Sequence, residues 1–238
     1  MFATRERMWS IALGGLLVSA LACDSGGPSG TAGVALHLGT PPASAASAVP
    51  ETFTLGGDVL VFSKVELVLK KIELERVDED DCLGADDCEE LEVGPLVLEL
   101  PLGGGTQRKL LVNVDAGVFD EVEFKIHKPE DDDATDAPFL ATRPDLRRVS
   151  IRAEGTFNGN PFVWITDLNA EQELDLSPPL TVGGGAPAEL TLLVDIGTWF
   201  RNGSGTGLVD PITALKGQLN EGLVKENVKR SFHAECDE

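Results

Sequence analysis

The chain has no tyrosine and few of the other side chains on which recognition and catalysis commonly depend. Its 238 residues include three histidines, four cysteines and three tryptophans. Because sugar- and peptide-binding surfaces rely on exposed aromatic rings, this composition disfavours a lectin. The patterns His-Glu-x-x-His and Gly-x-Ser-x-Gly, and any Cys/His set with zinc spacing, are absent. We therefore expect no enzymatic activity, although a Ser-His-Asp set formed only on folding would leave no such pattern.

Basic residues are also scarce, since 19 lysines and arginines stand against 40 aspartates and glutamates, for a net charge of −21. Such a surface is repelled by nucleic acid, so we expect no nucleic-acid partner. It favours solubility and attracts cations or basic proteins. Hydrophobic residues still make up 42% of the chain and recur in short runs, which excludes disorder throughout. Composition alone does not identify a protein or glycan partner.

The first 22 residues are typical of a secretory signal peptide. Arg5 and Arg7 precede an uncharged run at 8–22, which ends in Ala-Leu-Ala directly before Cys23. A basic start, an apolar middle and a cleavage site of small residues are the three parts of such a signal. The uncharged run is 15 residues long. A membrane span needs ~20, which disfavours a retained membrane helix.

Cys23 and the residues before it resemble the lipobox of bacterial lipoproteins, in which this thiol is lipidated and becomes the new N-terminus. The lipobox usually has leucine three positions before the cysteine, where this chain has Ala20. Residues 23–31 are rich in glycine and serine and predict a flexible tether. The resemblance implies an extracytoplasmic protein anchored to a membrane, at the periplasmic face or the cell surface. The alternative is an ordinary signal peptide, which would release a soluble protein with Cys23 as a plain thiol.

Short apolar runs after the tether predict one all-β domain over residues 32–200. Their separation by glycine, proline and aspartate is typical of an antiparallel β-sandwich, here of about eight strands. Trp164, Trp199 and Phe200 are expected to be core or edge aromatics, with a platform for a ligand as the alternative. The predicted strands lie near residues 34–38, 58–77, 96–100, 109–114, 118–127, 148–157, 161–168, 173–176 and 189–196.

The longest of these stretches, 58–77, changes its pattern halfway. Apolar residues alternate with charged ones such as Lys64 and Glu66 as far as Leu69, which is the period of a half-buried strand. The apolar positions then shift by one, so that Ile72 continues the pattern. A slip of one residue turns side chains to the other face, and we therefore expect a bulge or break near Lys70.

Asn158-Gly159 joins two of the predicted strands. Asn-Gly is the strongest short signal for a β-hairpin, because both central residues of its turn adopt positive φ. The sequence therefore predicts a tight hairpin between 148–157 and 161–168.

Residues 201–238 differ from the sandwich and predict a C-terminal loop and helix. Asp210-Pro211 is a typical helix start, with an N-cap followed by proline. Apolar residues at helical spacing then predict a short amphipathic helix over 220–232 that packs on the sandwich. These residues are Leu219, Leu223, Val224, Val228 and Phe232.

Three segments together resemble a bacterial lipoprotein domain family of unknown function. They are FSKVEL at 62–67, AGVFDEV at 116–122 and ELTLLVD at 189–195, with Phe119 at a position where the family usually has tyrosine. The resemblance covers roughly residues 32–200 and implies a β-sandwich at the cell envelope. It implies no activity and no site residues.

The cysteines other than Cys23 suggest one local disulfide. Cys82 and Cys88 flank a short turn-like segment, and an oxidising compartment would allow them to pair. Their spacing does not match a zinc site. Cys236 remains as the odd cysteine, and we expect it to be a free thiol.

Two acidic loops, 78–90 and 129–138, are the candidate functional sites. Calcium takes six to eight oxygen ligands, several of them carboxylates, from a loop that wraps around the ion. Neither loop matches the EF-hand pattern, and a solvated charged loop is the alternative at both. The candidate calcium ligands are Asp80, Asp81, Asp86, Asp87, Asp131, Asp132, Asp133 and Asp136.

These observations predict an uncharacterised lipid-anchored protein of the cell envelope that acts as a non-catalytic structural or binding module and needs no cofactor. The alternative is a calcium-dependent adhesion or ligand-binding domain that uses the acidic loops.

Overall fold

The computed structural model describes residues 31–41, 50–77, 89–91, 94–183 and 185–236. These residues form a β-sandwich, which confirms the predicted fold class. Neither α-helix among them is long and apolar enough to cross a membrane. The elements are β1 (Thr31–Thr40), β2 (Glu51–Leu55), β3 (Asp58–Arg76), β4 (Glu89–Leu91), β5 (Leu96–Glu99), β6 (Gly105–Asp115), β7 (Gly117–Ile126), α1 (Ala137–Thr142), β8 (Ile151–Phe157), β9 (Asn160–Thr166), β10 (Ala170–Val182), β11 (Ala188–Val194), α2 (Glu221–Lys229) and β12 (Phe232–Cys236).

The strands form two sheets. The smaller sheet has the order β12-β11-β1-β6, and the larger has the order β10-β7-β3-β8-β9, with β2, β4 and β5 also paired to β3. The pairing is antiparallel as predicted, except that β1 and β11 run parallel. The described residues form twelve strands, three more than the nine segments predicted, because β2, β4 and β12 are three to five residues long and lie in polar segments.

Aromatic side chains fill the space between the sheets. Trp164, Trp199 and Phe200 are almost fully buried, so of the two predicted places, core or edge, they occupy the core. Each indole keeps a partner for its N–H: Trp164 donates to the carbonyl of Ala214 at 3.0 Å, and Trp199 donates to the hydroxyl of Ser231 at 2.8 Å. Large rings can therefore lie at the centre of the core without leaving a polar group unpaired.

Strand β3 contains the predicted bulge. Its register against β7 shifts between Leu69 and Ile72, on either side of Lys70. The expectation that Lys64 and Glu66 face solvent is wrong for Glu66, which is 4% exposed. The middle of β3 is buried on both faces, because a later part of the chain lies across its outer side.

The Asn158-Gly159 turn is also confirmed. Asn158 has φ 51° and Gly159 has φ 79°, as a two-residue hairpin turn of this type requires. The turn joins β8 to β9, and the Asn158 side chain accepts a hydrogen bond from the backbone N–H of Val59 at 2.8 Å.

The C-terminal helix begins within one residue of its predicted start but ends earlier than predicted. Asp210 caps a 3-10 turn at Pro211–Ala214, and α2 ends at Lys229. Val224 and Val228 are fully buried against the sandwich, as expected, but Leu219 is 93% exposed. Phe232 begins β12, because backbone pairing with β11 replaces further helix.

Several predicted sites lie outside the described residues. These are the leader with Cys23, the pair Cys82 and Cys88, and the candidate ligands Asp80, Asp81, Asp86 and Asp87. The first acidic loop was predicted to extend to residue 90, but Glu89 and Glu90 belong to strand β4. Cys236 is half-buried at the end of β12, opposite Leu190.

Candidate functional site

The second acidic loop belongs to a segment that covers the outer face of β3. This covering segment, residues 128–150, contains α1 and a 3-10 turn at Pro144–Leu146. Its apolar side chains Leu146 and Val149 pack on Val68, in a small cluster separate from the main core. Backbone bonds hold both of its ends, since Val68 donates to the carbonyl of Ser150 and accepts from the N–H of His127, each at 2.8 Å.

Asp136 is the centre of the polar contacts beneath this segment. Its carboxylate is fully buried, although it was predicted to lie in an open acidic loop. His127 Nε2 lies 2.9 and 2.8 Å from its two oxygens, and the N–H of Glu130 donates to Oδ2 at 2.8 Å. The ammonium of Lys70 donates to Oδ1 at 3.3 Å. A buried carboxylate of this kind is tolerated because every side of it meets a donor.

Asp133 completes the cluster from its solvent side. The Lys70 ammonium donates to Asp133 Oδ2 at 2.5 Å, and the backbone N–H and hydroxyl of Thr135 donate to Oδ1 at 2.9 and 2.7 Å. These hydrogen bonds, first of all that from Lys70, hold the pKa of Asp133 well below its ordinary value. Lys70 therefore joins β3 to two carboxylates of the covering segment.

Three of these side chains could hold a metal ion. Ligand atoms of His127, Asp133 and Asp136 lie within 4.8 Å of one another. The Lys70 ammonium bonds both carboxylates, so a metal ion would have to displace it. A set containing an imidazole suits zinc or a similar cation better than calcium, which takes oxygen ligands.

The structure brings together only two of the four ligands predicted in the second loop. Asp133 and Asp136 converge, whereas Asp131 and Asp132 are exposed on the surface. Asp131 pairs instead with Arg147 at 3.2 Å. These four residues therefore do not form the oxygen-rich calcium-binding loop that the sequence predicted.

Sequence reasoning missed His127 as a member of the cluster. His127 is 7% exposed, and burial lowers the pKa of its imidazole, while the hydrogen bond to Asp136 opposes that change. With Nε2 directed at Asp136, the buried Nδ1 has no hydrogen-bond partner among the described residues. The available signal was its position directly after the β7 pattern and directly before the acidic segment.

A second ionic contact fixes the covering segment near α1. Arg143 donates to the buried carboxylate of Glu66 at 3.2 Å and to Asp145 at 2.8 Å. Lys64 also lies 3.0 Å from the same oxygen of Glu66. The buried Oε1 of Glu66 thus has one cationic partner in the covering segment and one in its own strand, while its Oε2 has no hydrogen-bond partner among the described residues.

Further along the same outer face, two rows of carboxylates cross the larger sheet. In the first row Glu73 of β3 lies opposite Glu123 of β7, which lies opposite Glu173 of β10. In the second, Glu75, Glu121 and Asp175 lie in the same order. Like charges directly opposite each other in a sheet destabilise it. We call these six residues the acidic rows.

The acidic rows predict a gain in stability when one carboxylate is neutralised. Burial first, then the charges of Glu75, Glu173 and Asp175, raise the pKa of Glu121; burial and Glu73 likewise raise the pKa of Glu123. Because the pKa of Glu121 is raised in the folded state, proton binding by this carboxyl stabilises the folded protein below the ordinary pKa of 4.5. That stabilisation is lost as the pH rises through the folded-state pKa. Glu121→Gln should therefore add up to about 1 kcal/mol at pH 7.

Urea unfolding of Glu121→Gln and wild type at several pH values checks this expectation. The gain should shrink as pH falls from 7 towards 4.5, because the wild-type carboxyl then takes up its proton. Glu171→Gln is the control, since Glu171 pairs with Lys125 at 3.3 Å and should give no gain. A difference between Glu121→Gln and wild type that stays constant with pH would contradict the electrostatic explanation.

The described residues thus define a mostly β sandwich protein with one buried polar cluster beneath a covering segment. No protein-family model and no curated sequence matches the chain. Among solved structures, MbnP from Methylosinus trichosporium is similar at 11% sequence identity and a TM-score of 0.38. The similarity covers 88% of this chain and 99% of that chain, and no functional conclusion follows from it.

Proposed function

We propose that the protein is an extracytoplasmic bacterial lipoprotein, anchored to a membrane through acyl chains on Cys23. Its sandwich then acts as a non-catalytic structural or binding module at the cell envelope. The observation that carries this proposal is the sequence Ala-Leu-Ala-Cys after an uncharged run with basic residues before it. The first strand begins at Thr31, so that only a short tether separates Cys23 from the sandwich.

The surroundings of two histidines support a non-catalytic role. A general base would need a ring nitrogen within reach of a nucleophile or of bound water. Nε2 of His37 contacts Glu189 across β1 and β11, and Nε2 of His127 is bonded to Asp136, while Nδ1 of His127 is buried and out of reach of a substrate. Both imidazoles therefore have carboxylate partners that hold neighbouring strands and segments together.

Metabolic labelling of the full-length protein tests the anchor. Wild-type chain should incorporate a palmitate analogue, begin at Cys23 and stay with the membrane fraction. Cys23→Ala should lose the label and leave the membrane fraction, while Cys236→Ala, the matched cysteine control, should keep both. Equal labelling of the wild type and Cys23→Ala, or an intact mass without acyl chains, would refute the proposal.

A second candidate function is divalent cation binding at the second acidic loop. The convergence of His127, Asp133 and Asp136 favours it, with a zinc-like cation a better fit than the calcium expected from sequence. A bound ion would stand in place of the Lys70 ammonium and bridge the covering segment to β7.

Removal of the competing ammonium distinguishes this candidate from a purely structural ion pair. Lys70→Met should bind zinc more tightly than wild type in calorimetric titration, with Lys125→Met as the control that leaves affinity unchanged. A site filled 100-fold above its Kd would stabilise the fold by about 2.7 kcal/mol, which also tests the wild type directly by thermal unfolding. No stabilisation by zinc or calcium in any of these proteins would eliminate this candidate.

A further inference from the structure

The position at which the tether enters the sandwich defines one end of the domain. Thr31 of β1 pairs with Asp115, the last residue of β6. Strand β6 then turns through Ala116 into β7, and the Arg76 guanidinium at the end of β3 donates to the Ala116 carbonyl at 3.2 Å. We call the end formed by Thr31, Arg76 and Asp115–Val118 the hairpin end.

The opposite end includes three glycine-containing turns that lie near the start of β3. The β2–β3 turn at Gly56 lies against the loop at 203–207, because a Cβ on Gly56 would come within 2.8 Å of the Thr206 carbonyl. The Asn158 turn is tied to the start of β3, where its side chain donates to Asp58 at 2.9 Å. Strand β3 runs from this end to the hairpin end in 19 residues. At about 3.3 Å per residue, the two ends are up to about 60 Å apart.

The tether is short compared with this length. From Cys23 to Thr31 there are eight residue steps. Fully extended they reach at most about 28 Å, and as a relaxed Gly/Ser coil about 16 Å. If Cys23 is held in the bilayer, the hairpin end is therefore the end held nearest to the lipid.

Two exposed apolar side chains lie together at the hairpin end. Val77 and Val118 are 44% and 45% exposed, and the N–H of Val77 donates to the carbonyl of Val118 at 3.2 Å. Neighbouring carboxylates such as Asp120 and Glu75 would be repelled by anionic lipids. The chemistry of this end therefore fits a zwitterionic phospholipid surface. Because the anchor already holds the domain at the membrane, a contact of this small size suffices.

We propose that the hairpin end faces the bilayer and that Val77 and Val118 contact its zwitterionic headgroup layer. This inference rests on the proposed lipid anchor. The three glycine-containing turns at the opposite end, with their exposed backbone and short polar side chains, are then directed away from the membrane. Any partner that approaches from the aqueous side meets those turns first.

Tryptophan quenching in vesicles tests the orientation. The acylated chain that begins at Cys23 is reconstituted in phosphatidylcholine vesicles whose acyl chains carry bromine, which quenches nearby indoles. Val118→Trp is compared with Val59→Trp, a matched valine that is 36% exposed near the far end of β3. The wild-type signal is subtracted to remove the buried Trp164 and Trp199. Quenching of Val118→Trp should exceed that of Val59→Trp about threefold or more, because the far end lies up to about 60 Å away.

The outcomes separate the two proposals. An acylated, vesicle-bound protein with equal quenching at both positions, or with stronger quenching of Val59→Trp, overturns the orientation and leaves the anchor intact. A chain without acyl mass that does not float with vesicles overturns both. Val77→Trp provides a second probe at the hairpin end if Val118→Trp does not fold. Replacing part of the lipid with phosphatidylglycerol should weaken the quenching, and stronger quenching there would contradict a zwitterionic surface.

Discussion

Replacement of Asp136 with alanine is expected to destabilise the fold by about 3–5 kcal/mol, the range observed when one partner of a buried ion pair is removed. The carboxylate is fully buried and accepts hydrogen bonds from Lys70, His127 and the N–H of Glu130. Without it, His127 Nε2 and the N–H of Glu130 lose their acceptor where water reaches poorly, and Lys70 keeps only Asp133; each such loss is costly. Urea unfolding at pH 7 measures the change directly.

Asp132→Ala is the matched control for this prediction. Asp132 lies in the same acidic segment but is exposed, and its removal should change stability by no more than about 0.5 kcal/mol. Similar losses in the two variants would mean that Asp136 contributes no more than a surface charge. A large difference would show that the covering segment is fixed by this one buried carboxylate.

Replacement of Gly155 with alanine is the second large effect, an expected loss of at least about 3 kcal/mol from forced backbone displacement. A Cβ at this position of β8 would lie 1.8 Å from the carbonyl oxygen of Val61 and 2.9 Å from its carbon. Both obstacles belong to the backbone of β3, where the register against β8 shifts just after Phe62. Strand β3 would have to move as a whole, since no flexible side chain can yield.

Gly222→Ala provides the contrasting result for the same chemical change. Gly222 lies in α2, and a Cβ there would meet no other atom within 4 Å. Because alanine is the better helix former, this variant should gain up to about 1 kcal/mol. Thermal unfolding of both variants tests the pair, and a Gly155→Ala protein as stable as wild type would show that β3 and β8 are not as closely packed as described.

The covering segment explains why β3 is a different kind of strand from its neighbours. Its inner face meets the core, while Glu66, Val68 and Lys70 on its outer face meet residues 128–150. A surface strand of a sandwich is usually half solvated. Here a loop, a short helix and a 3-10 turn exclude water from the outer face, and buried charges there need partners from the same segment.

Local patterns in the sequence predicted much of the strand architecture. The Asn158-Gly159 turn was predictable because two adjacent residues with positive φ define it. The bulge near Lys70 followed from the shifted alternation of apolar residues, which depends only on the period of an extended chain. Strand β12 was not predictable in this way. Phe232 continues the helical spacing of Val224 and Val228, and its pairing with β11 depends on a strand nearly 40 residues earlier.

The candidate cluster was less predictable from the sequence than the strands were. Asp133 and Asp136 were singled out as acidic residues of an open loop, with Asp131 and Asp132 given equal weight. What separates them is Lys70, which lies 63 residues from Asp133 and 66 from Asp136 and reaches both only after β3 and the covering segment pack together. A count of acidic residues does not show which carboxylates a distant cation will meet.

The sequence by itself predicts a leader and a lipidated Cys23, and it determined the acidic composition and the alternation that makes this a β protein. These depend on neighbouring residues and on composition. Only the tertiary structure decided that Glu66 and Asp136 are buried, that carboxylates form rows across three strands, and that β1 begins at the hairpin end. Each of these depends on the register between strands distant in sequence, because burial and electrostatic energies are set by neighbours in space.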